Sequence, residues 1–282
     1  MSIINPYRYA APVEQNFYQD IVTAGLTSGL KVCLDAGSII SVPDGTAQDW
    51  IDLSGNIGAD QFHRGSTSGA TSNDPTFVGT EGNLSSGDYY SFDGADIFTY
   101  GAASESWMNA LHEDLAKFTV VIWHYLKPAG DDQTILSTTD MEQTSNGVGF
   151  VHQGTEQWTS NIHHSGGINM TTRVHVNSSD TNVWHFSAVS INEPGGAGSG
   201  FLYEDGNYAP VSGPNDTFDA NYSSPGTGAP LGPMVLGGEV NLAERFIVSG
   251  GRMAGVMIWE GSFLTKANLD TLWAAQKGRF GL

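Results

Sequence analysis

The chain has 282 residues, with 30 Asp+Glu against 11 Lys+Arg and a formal net charge of −19 at pH 7. That balance argues against a nucleic-acid partner and against an anionic membrane surface, both of which are held by Lys and Arg. No apolar run approaches the roughly 20 residues of a membrane helix, and the single cysteine, Cys33, excludes an intrachain disulfide framework.

Residues 1–29 read as an N-terminal arm or cap. Asn5-Pro6-Tyr7-Arg8-Tyr9 is aromatic, and Phe17, Ile21 and Val22 suit one face of a short helix. Met1–Pro12 lacks the basic start and apolar run of a secretory signal, which predicts synthesis in a cytoplasm. From Leu30 onward, short β-type runs alternate with turn signals. The expected strands are Lys31–Leu34, Tyr89–Phe92, Phe118–Tyr125, Gln133–Ser137, Gly147–His152, Thr172–Val176, Trp184–Ile191, Gly200–Glu204, Met234–Leu236 and Gly251–Trp259. Asp-Gly pairs at 44–45, 93–94 and 205–206 mark turns, and the last predicts a hairpin after Phe201–Glu204. The Gly/Ser/Asn/Pro-rich stretches 54–88, 192–200 and 211–233 are expected to be loops. Helices are expected over Ser104–Leu115 and after Thr265, a capping residue followed by Leu269, Leu272 and Trp273 on one face. Many short strands with two helices predict an all-β jelly-roll sandwich.

Six segments in order carry a resemblance. Leu34-Asp35-Ala36-Gly37, then Trp50, Asp52 and Ser54-Gly55-Asn56, resemble the opening of laminin-G-like, concanavalin A-like jelly-roll domains. Tyr89–Gly94, Phe118–Trp123, Trp184–Val189, Phe201–Gly206, and Arg252–Trp259 with Leu264–Trp273 are similar to its later strands and final helix. The resemblance covers about residues 30–282 and implies two antiparallel sheets with a short C-terminal helix. The start through Asn5–Tyr9 and the finish Arg279-Phe280-Gly281-Leu282 look like those of tailed-phage virion proteins carrying such a domain.

Catalytic signatures are sparse. Glycoside hydrolases on this fold resemble one another in a strand with Glu, Asp and Glu on one face, acting as acid and nucleophile. None of the 11 Glu residues here has Asp two positions later. There is no Gly-x-Ser-x-Gly nucleophile elbow and no Gly-x4-Gly-Lys phosphate loop. His163-His164 is poorly placed to chelate a metal, because adjacent strand residues face opposite sides; these and His175 read as surface histidines. His185, beside Trp184 on a core strand, is expected to be hydrogen-bonded locally. Asp52, Asp93 and Asp96 near turns are oxygen donors that suit calcium, the one cofactor left open, although turn stabilisation is the simpler reading. Trp123, Trp184 and Trp259 belong to the core, as does the apolar Cys33. Trp107 and Trp158 are candidates for stacking on a sugar ring or a protein, with core packing the simpler reading.

The expectation that follows is a non-enzymatic phage virion protein, decorating a capsid or belonging to a tail and located in the virion. It would dock on major capsid or tail proteins, or on copies of itself, through an arm that uses Tyr7, Arg8, Tyr9 and Phe17. The alternatives are a carbohydrate-binding module for a host-surface glycan and a glycoside hydrolase with a rearranged site.

Overall fold

A computed structural model describes residues 14–113, 115–140, 146–153, 157–164, 167–174, 181–192, 200–210, 228–240 and 245–282. In chain order the elements are α1 (Phe17–Thr23), β1 (Leu30–Asp35), β2 (Asp49–Trp50), β3 (Phe62–Arg64), β4 (Thr76–Val78), β5 (Tyr89–Ser91), β6 (Phe98–Tyr100), α2 (Ser106–Asn109), β7 (Lys117–Tyr125), β8 (Gln133–Ser137), β9 (Gly147–Gln153), β10 (Gln157–His164), β11 (Gly167–Val174), β12 (Trp184–Asn192), β13 (Gly200–Glu204), β14 (Asn207–Pro210), β15 (Val235–Leu236), β16 (Arg252–Glu260) and α3 (Lys266–Gln276), which runs into a 3-10 turn, Lys277–Phe280.

The strands form two antiparallel sheets, as the sequence predicts. Sheet A runs β14-β13-β12-β7-β16-β5-β4, and sheet B runs β11-β10-β9-β8-β15-β6-β3-β2. On the side of β16 away from β7, β5 pairs at Arg252 and Met253, and β1 takes over from Gly255 to Trp259. The register of β16 against β7 shifts between Met253 and Gly255.

The middle of sheet A, β7, β12 and β16, is buried on both faces, which explains why these strands alternate poorly, whereas the β4 edge is exposed. Phe118, Val120 and Ile122 of β7 face the inter-sheet core with Val189 and Ile191 of β12. Val121 and Trp123 turn the other way, joining Phe186, Ala188, Met257 and Trp259 in a second core beneath α1 and α3. α3 begins where the sequence places it: Thr265 and Asn268 form a reciprocal cap. Leu269 and Leu272 then reach sheet A. The preceding loop is tied down as well, since Ser190 Oγ donates to the Leu264 carbonyl at 2.8 Å and Thr119 Oγ1 accepts from Leu264 N–H at 2.9 Å. Residues 14–29 contribute Phe17 and Ile21 to this same core.

The register of sheet B sets one row across all eight strands: Asp49, His63, Thr99, Val235, Ser137, Gly149, Asn161 and Thr171. The adjacent row, beginning Trp50, Phe62 and Tyr100, points into the core.

Two expectations fail. The 54–88 stretch is not all loop: β3 and β4 lie within it, too short to show alternation. The helix expected over Ser104–Leu115 shrinks to α2, four residues long. Glu105, at its N-cap, accepts instead from Tyr100 Oη and Trp107 Nε1, at 2.8 and 2.7 Å. Leu115 takes a left-handed φ of 65°. Of the other expected loops, residues 193–199 and 211–227 lie outside the described residues.

Candidate functional site

Two polar groups stand out. The first closes one end of the inter-sheet space. β7 and β12 pair His124 with His185, and β12 and β13 pair Ser187 with Glu204, all on the inner face of sheet A. Asp205 and Gly206 form the two-residue turn between β13 and β14, with φ of 50° and 87°. These are the angles of a type I′ hairpin, which Asp-Gly favours.

This turn aims Asp205 back at β12. Its Oδ1 accepts from Phe186 N–H at 2.8 Å, and its Oδ2 lies 2.7 Å from His185 Nδ1. His185 Nδ1 is also 3.8 Å from Glu204 Oε1. The Ser187 hydroxyl donates to Glu204 Oε2 at 3.1 Å and lies 2.8 Å from His124 Nε2. With its proton committed to Glu204, Ser187 accepts from His124 Nε2–H. The rings of His124 and His185 stack with centroids 5.6 Å apart. From sheet B, His152 adds a third imidazole. Burial holds His124 well below the usual imidazole range, and His185 and His152 reinforce it. Burial, with His185, also lowers His152, against Asp132. Two neutral imidazoles thus sit beside two carboxylates, of which Asp205 is 23% exposed. Ser187 borders an apolar cavity of about 20 Å³ between the sheets, room for one water.

The second group lies at the free β2 edge of sheet B. His63 Nδ1 is 2.5 Å from Asp49 Oδ1, and their side chains are 23% and 46% exposed. A Cβ on Gly101 would stand 3.2 Å from His63 Nε2, 3.3 Å from Asp60 Oδ1 and 3.4 Å from the Gln61 carbonyl, so these groups converge where Gly101 leaves room. Nδ1–H donates to Asp49, which turns His63 Nε2 toward the space it shares with the exposed Asp60. A larger cleft, about 260 Å³, runs between α1 and α3 past Gln15, Asp20, Leu84 and Ala275. The guanidinium nitrogens of Arg279 are sealed from it.

The expected site residues are scattered. Tyr7, Arg8 and Tyr9 lie outside the described residues. Phe17, assigned to a docking arm, is buried in its own chain beside Phe280 and Arg279. Trp107 is buried against Tyr100 and offers no open stacking face. Trp158 lies in β10, its side chain outside the description. Asp52 accepts from Cys33 N–H, Ser54 N–H, Ser54 Oγ–H and Gly55 N–H, which occupies both oxygens in turn stabilisation. Asp93 accepts from Ala95 N–H, and Asp96 from Asp93 N–H. The three aspartates are not gathered; among the described residues, the three-residue cluster of ligand atoms within 4.8 Å of one another is His185, Glu204 and Asp205. His185 is hydrogen-bonded locally, as its setting predicts. His163 and His164 occupy successive positions of β10, their side chains outside the description.

Sequence reasoning missed His124, Ser187 and Glu204 as a group. The available signal was polar residues at core-facing positions near the ends of three strands. It missed Asp49 and His63 because two- and three-residue strands leave no periodic trace.

No protein-family model matches the chain, and no curated protein matches it. Solved structures do. A Trypanosoma rangeli sialidase in complex with sialic acid is 12% identical, with TM-score 0.55 over 89% of this chain and 33% of the sialidase. The botulinum neurotoxin serotype D binding domain is 12% identical, with TM-score 0.54 over 89% of this chain and 52% of that one. A botulinum neurotoxin type C structure, concerned with cell entry through two ganglioside molecules, is 11% identical, with TM-score 0.57 over 90% and 53%. The chain therefore spans a third to about half of these neighbours, and the likeness is one of β-sandwich fold.

Proposed function

We propose that this chain is a non-catalytic glycan-binding domain that holds sugar hydroxyls at the β2 edge of sheet B. The observation that carries this reading is the partly exposed Asp49–His63 pair, whose imidazole meets Asp60 beside Gly101. Carboxylates and an imidazole set close together match the spaced hydroxyls of a sugar ring, which both donate and accept. Over β7, β12 and β16 the outer face of sheet A is covered by α1 and α3. The neighbours lend support, since one is described with sialic acid and another with gangliosides. The virion reading draws on the chain ends, the sparse catalytic signatures and the acidic surface, and the neighbours add nothing to it. Of the resembling segments, Arg279 and Phe280 pack within the chain.

The test is a glycan array carrying neutral, sialylated and ganglioside-headgroup sugars. The expected result is binding that falls at least tenfold in Asp49→Ala and His63→Ala, about 1.4 kcal/mol. No binding across the array would overturn the reading. Binding unchanged in both variants would remove the β2 edge as its site.

A further inference from the structure

We propose that His185, Glu204 and Asp205 form a binding site for a first-row divalent transition metal ion of the Zn2+ class. This goes beyond the glycan reading and uses the opposite sheet. The three ligand atoms lie within 4.8 Å of one another. A tetrahedral ion with ligand bonds of roughly 2.0–2.2 Å holds its ligands about 3.4 Å apart. The 3.8 Å between His185 Nδ1 and Glu204 Oε1 is close to that spacing, and the 2.7 Å between Nδ1 and Asp205 Oδ2 needs only a small opening.

The carboxylates are oriented for this purpose. In each, one oxygen is fixed to the scaffold and the other faces His185. Asp205 Oδ1 is held by Phe186 N–H and Glu204 Oε2 by the Ser187 hydroxyl, while Oδ2 and Oε1 lie 2.7 and 3.8 Å from His185 Nδ1. His124 steadies Ser187 from behind. Supporting hydrogen bonds of this kind fix ligand direction in metal sites. The ligands sit on two paired strands and a tight turn, which keeps them in place without the metal. An imidazole among two carboxylates favours Zn2+ or Co2+ over Ca2+, which prefers an all-oxygen shell. Asp205 reaches solvent and gives the ion an entry path, with water as the fourth ligand.

The experiment uses the full chain, stripped by chelator and titrated with Zn2+ and, separately, with Co2+ in equilibrium dialysis. One equivalent per chain should bind, and Asp205→Asn should weaken it at least tenfold. That variant retains an acceptor for Phe186 N–H and creates an Asn-Gly pair, which suits the type I′ turn. Glu204→Gln should weaken binding similarly, and Ser187→Ala should weaken it about tenfold through loss of ligand support. Near-ultraviolet circular dichroism confirms that each variant is folded, and if one is not, the other carboxylate variant decides. No stoichiometric uptake, or uptake unchanged in the folded carboxylate variants as surface histidines would give, overturns the proposal.

Discussion

Arg279 Nη1 lies 2.7 Å from Oδ1 of Asp35, a carboxylate with no exposed surface. Asp35 also accepts from Phe17 N–H at 3.0 Å and Gly37 N–H at 2.9 Å. The guanidinium rests over the ring of Phe17, 4.5 Å from its centroid. One buried ion pair thus ties α1, β1 and the 3-10 turn together. Removing one partner leaves a buried charge uncompensated, so Asp35→Ala or Arg279→Ala should cost about 3–5 kcal/mol in urea unfolding. Gly37→Ala should destabilise too, because its Cβ would fall within contact distance of Arg279 Nη2. Unfolding midpoints within error of the parent would show that the pair contributes little.

Trp123 tests the second core. Its ring stacks on Phe280 with centroids 4.0 Å apart, and its Nε1–H donates to Gln276 Oε1 at 2.7 Å. Trp123→Ala should cost about 3–5 kcal/mol. Trp123→Phe keeps most of the packing but leaves the buried Gln276 oxygen without this donor, a penalty of about 1–3 kcal/mol. Combining it with Gln276→Leu should recover part of that loss in a double-mutant cycle. Strict additivity of the two changes would separate the hydrogen bond from stability.

Asp96 gives the chain a pH dependence opposite to that of an ordinary ion-paired carboxylate. Burial raises its pKa from 3.8 to about 7, with Asp93 adding to the effect by its charge and opposing it through its N–H. Between those values the unfolded chain has lost the proton and the folded one keeps it, so stability from this group falls as pH rises from about 4 to 7 and is flat above. Asn retains an acceptor for Asp93 N–H without the charge. Asp96→Asn should therefore be more stable than the parent at pH 8, and the difference should shrink as the pH falls toward 4. Parallel stability–pH curves for the two proteins would refute the raised pKa.

The β13–β14 turn offers a backbone test. Gly206 has φ of 87° and sits against Trp273, so Gly206→Ala meets both backbone strain and a close ring. A loss of about 1 kcal/mol or more is expected, with Asp205→Asn near neutral in the metal-free protein. Thermal melts of the two variants give the comparison.

The long strands were legible because β7, β12 and β16 are runs of Val, Ile, Phe and Trp that no other element would use. Thr265 announced α3 through its cap. β2 and β3 were not legible, because Asp49–Trp50 and Phe62–Arg64 are strands only by virtue of pairing with each other and with β6. The burial of Phe17 was equally hidden. Its partners Asp35 and Arg279 are 18 and 262 positions away in sequence, and only the closed sandwich brings them together. The same holds for the site residues: His124, Ser187 and Glu204 become neighbours through register, which a single strand does not reveal.

The position of β16 has a consequence for synthesis. Residues 252–260 lie between β7 on one side and β1 and β5 on the other, so the middle of sheet A is supplied by a strand made after all three of its partners. Until then β1 and β5 have no central partner, and apolar surface meant for two cores stays uncovered. Nascent chains must be extended past residue 260 before sheet A can close, a long exposure of β1, β5 and β7 that favours chaperone capture. Chains stalled before residue 252 has emerged should accordingly be protease-sensitive, and chains extended until residues 252–282 have emerged should be resistant.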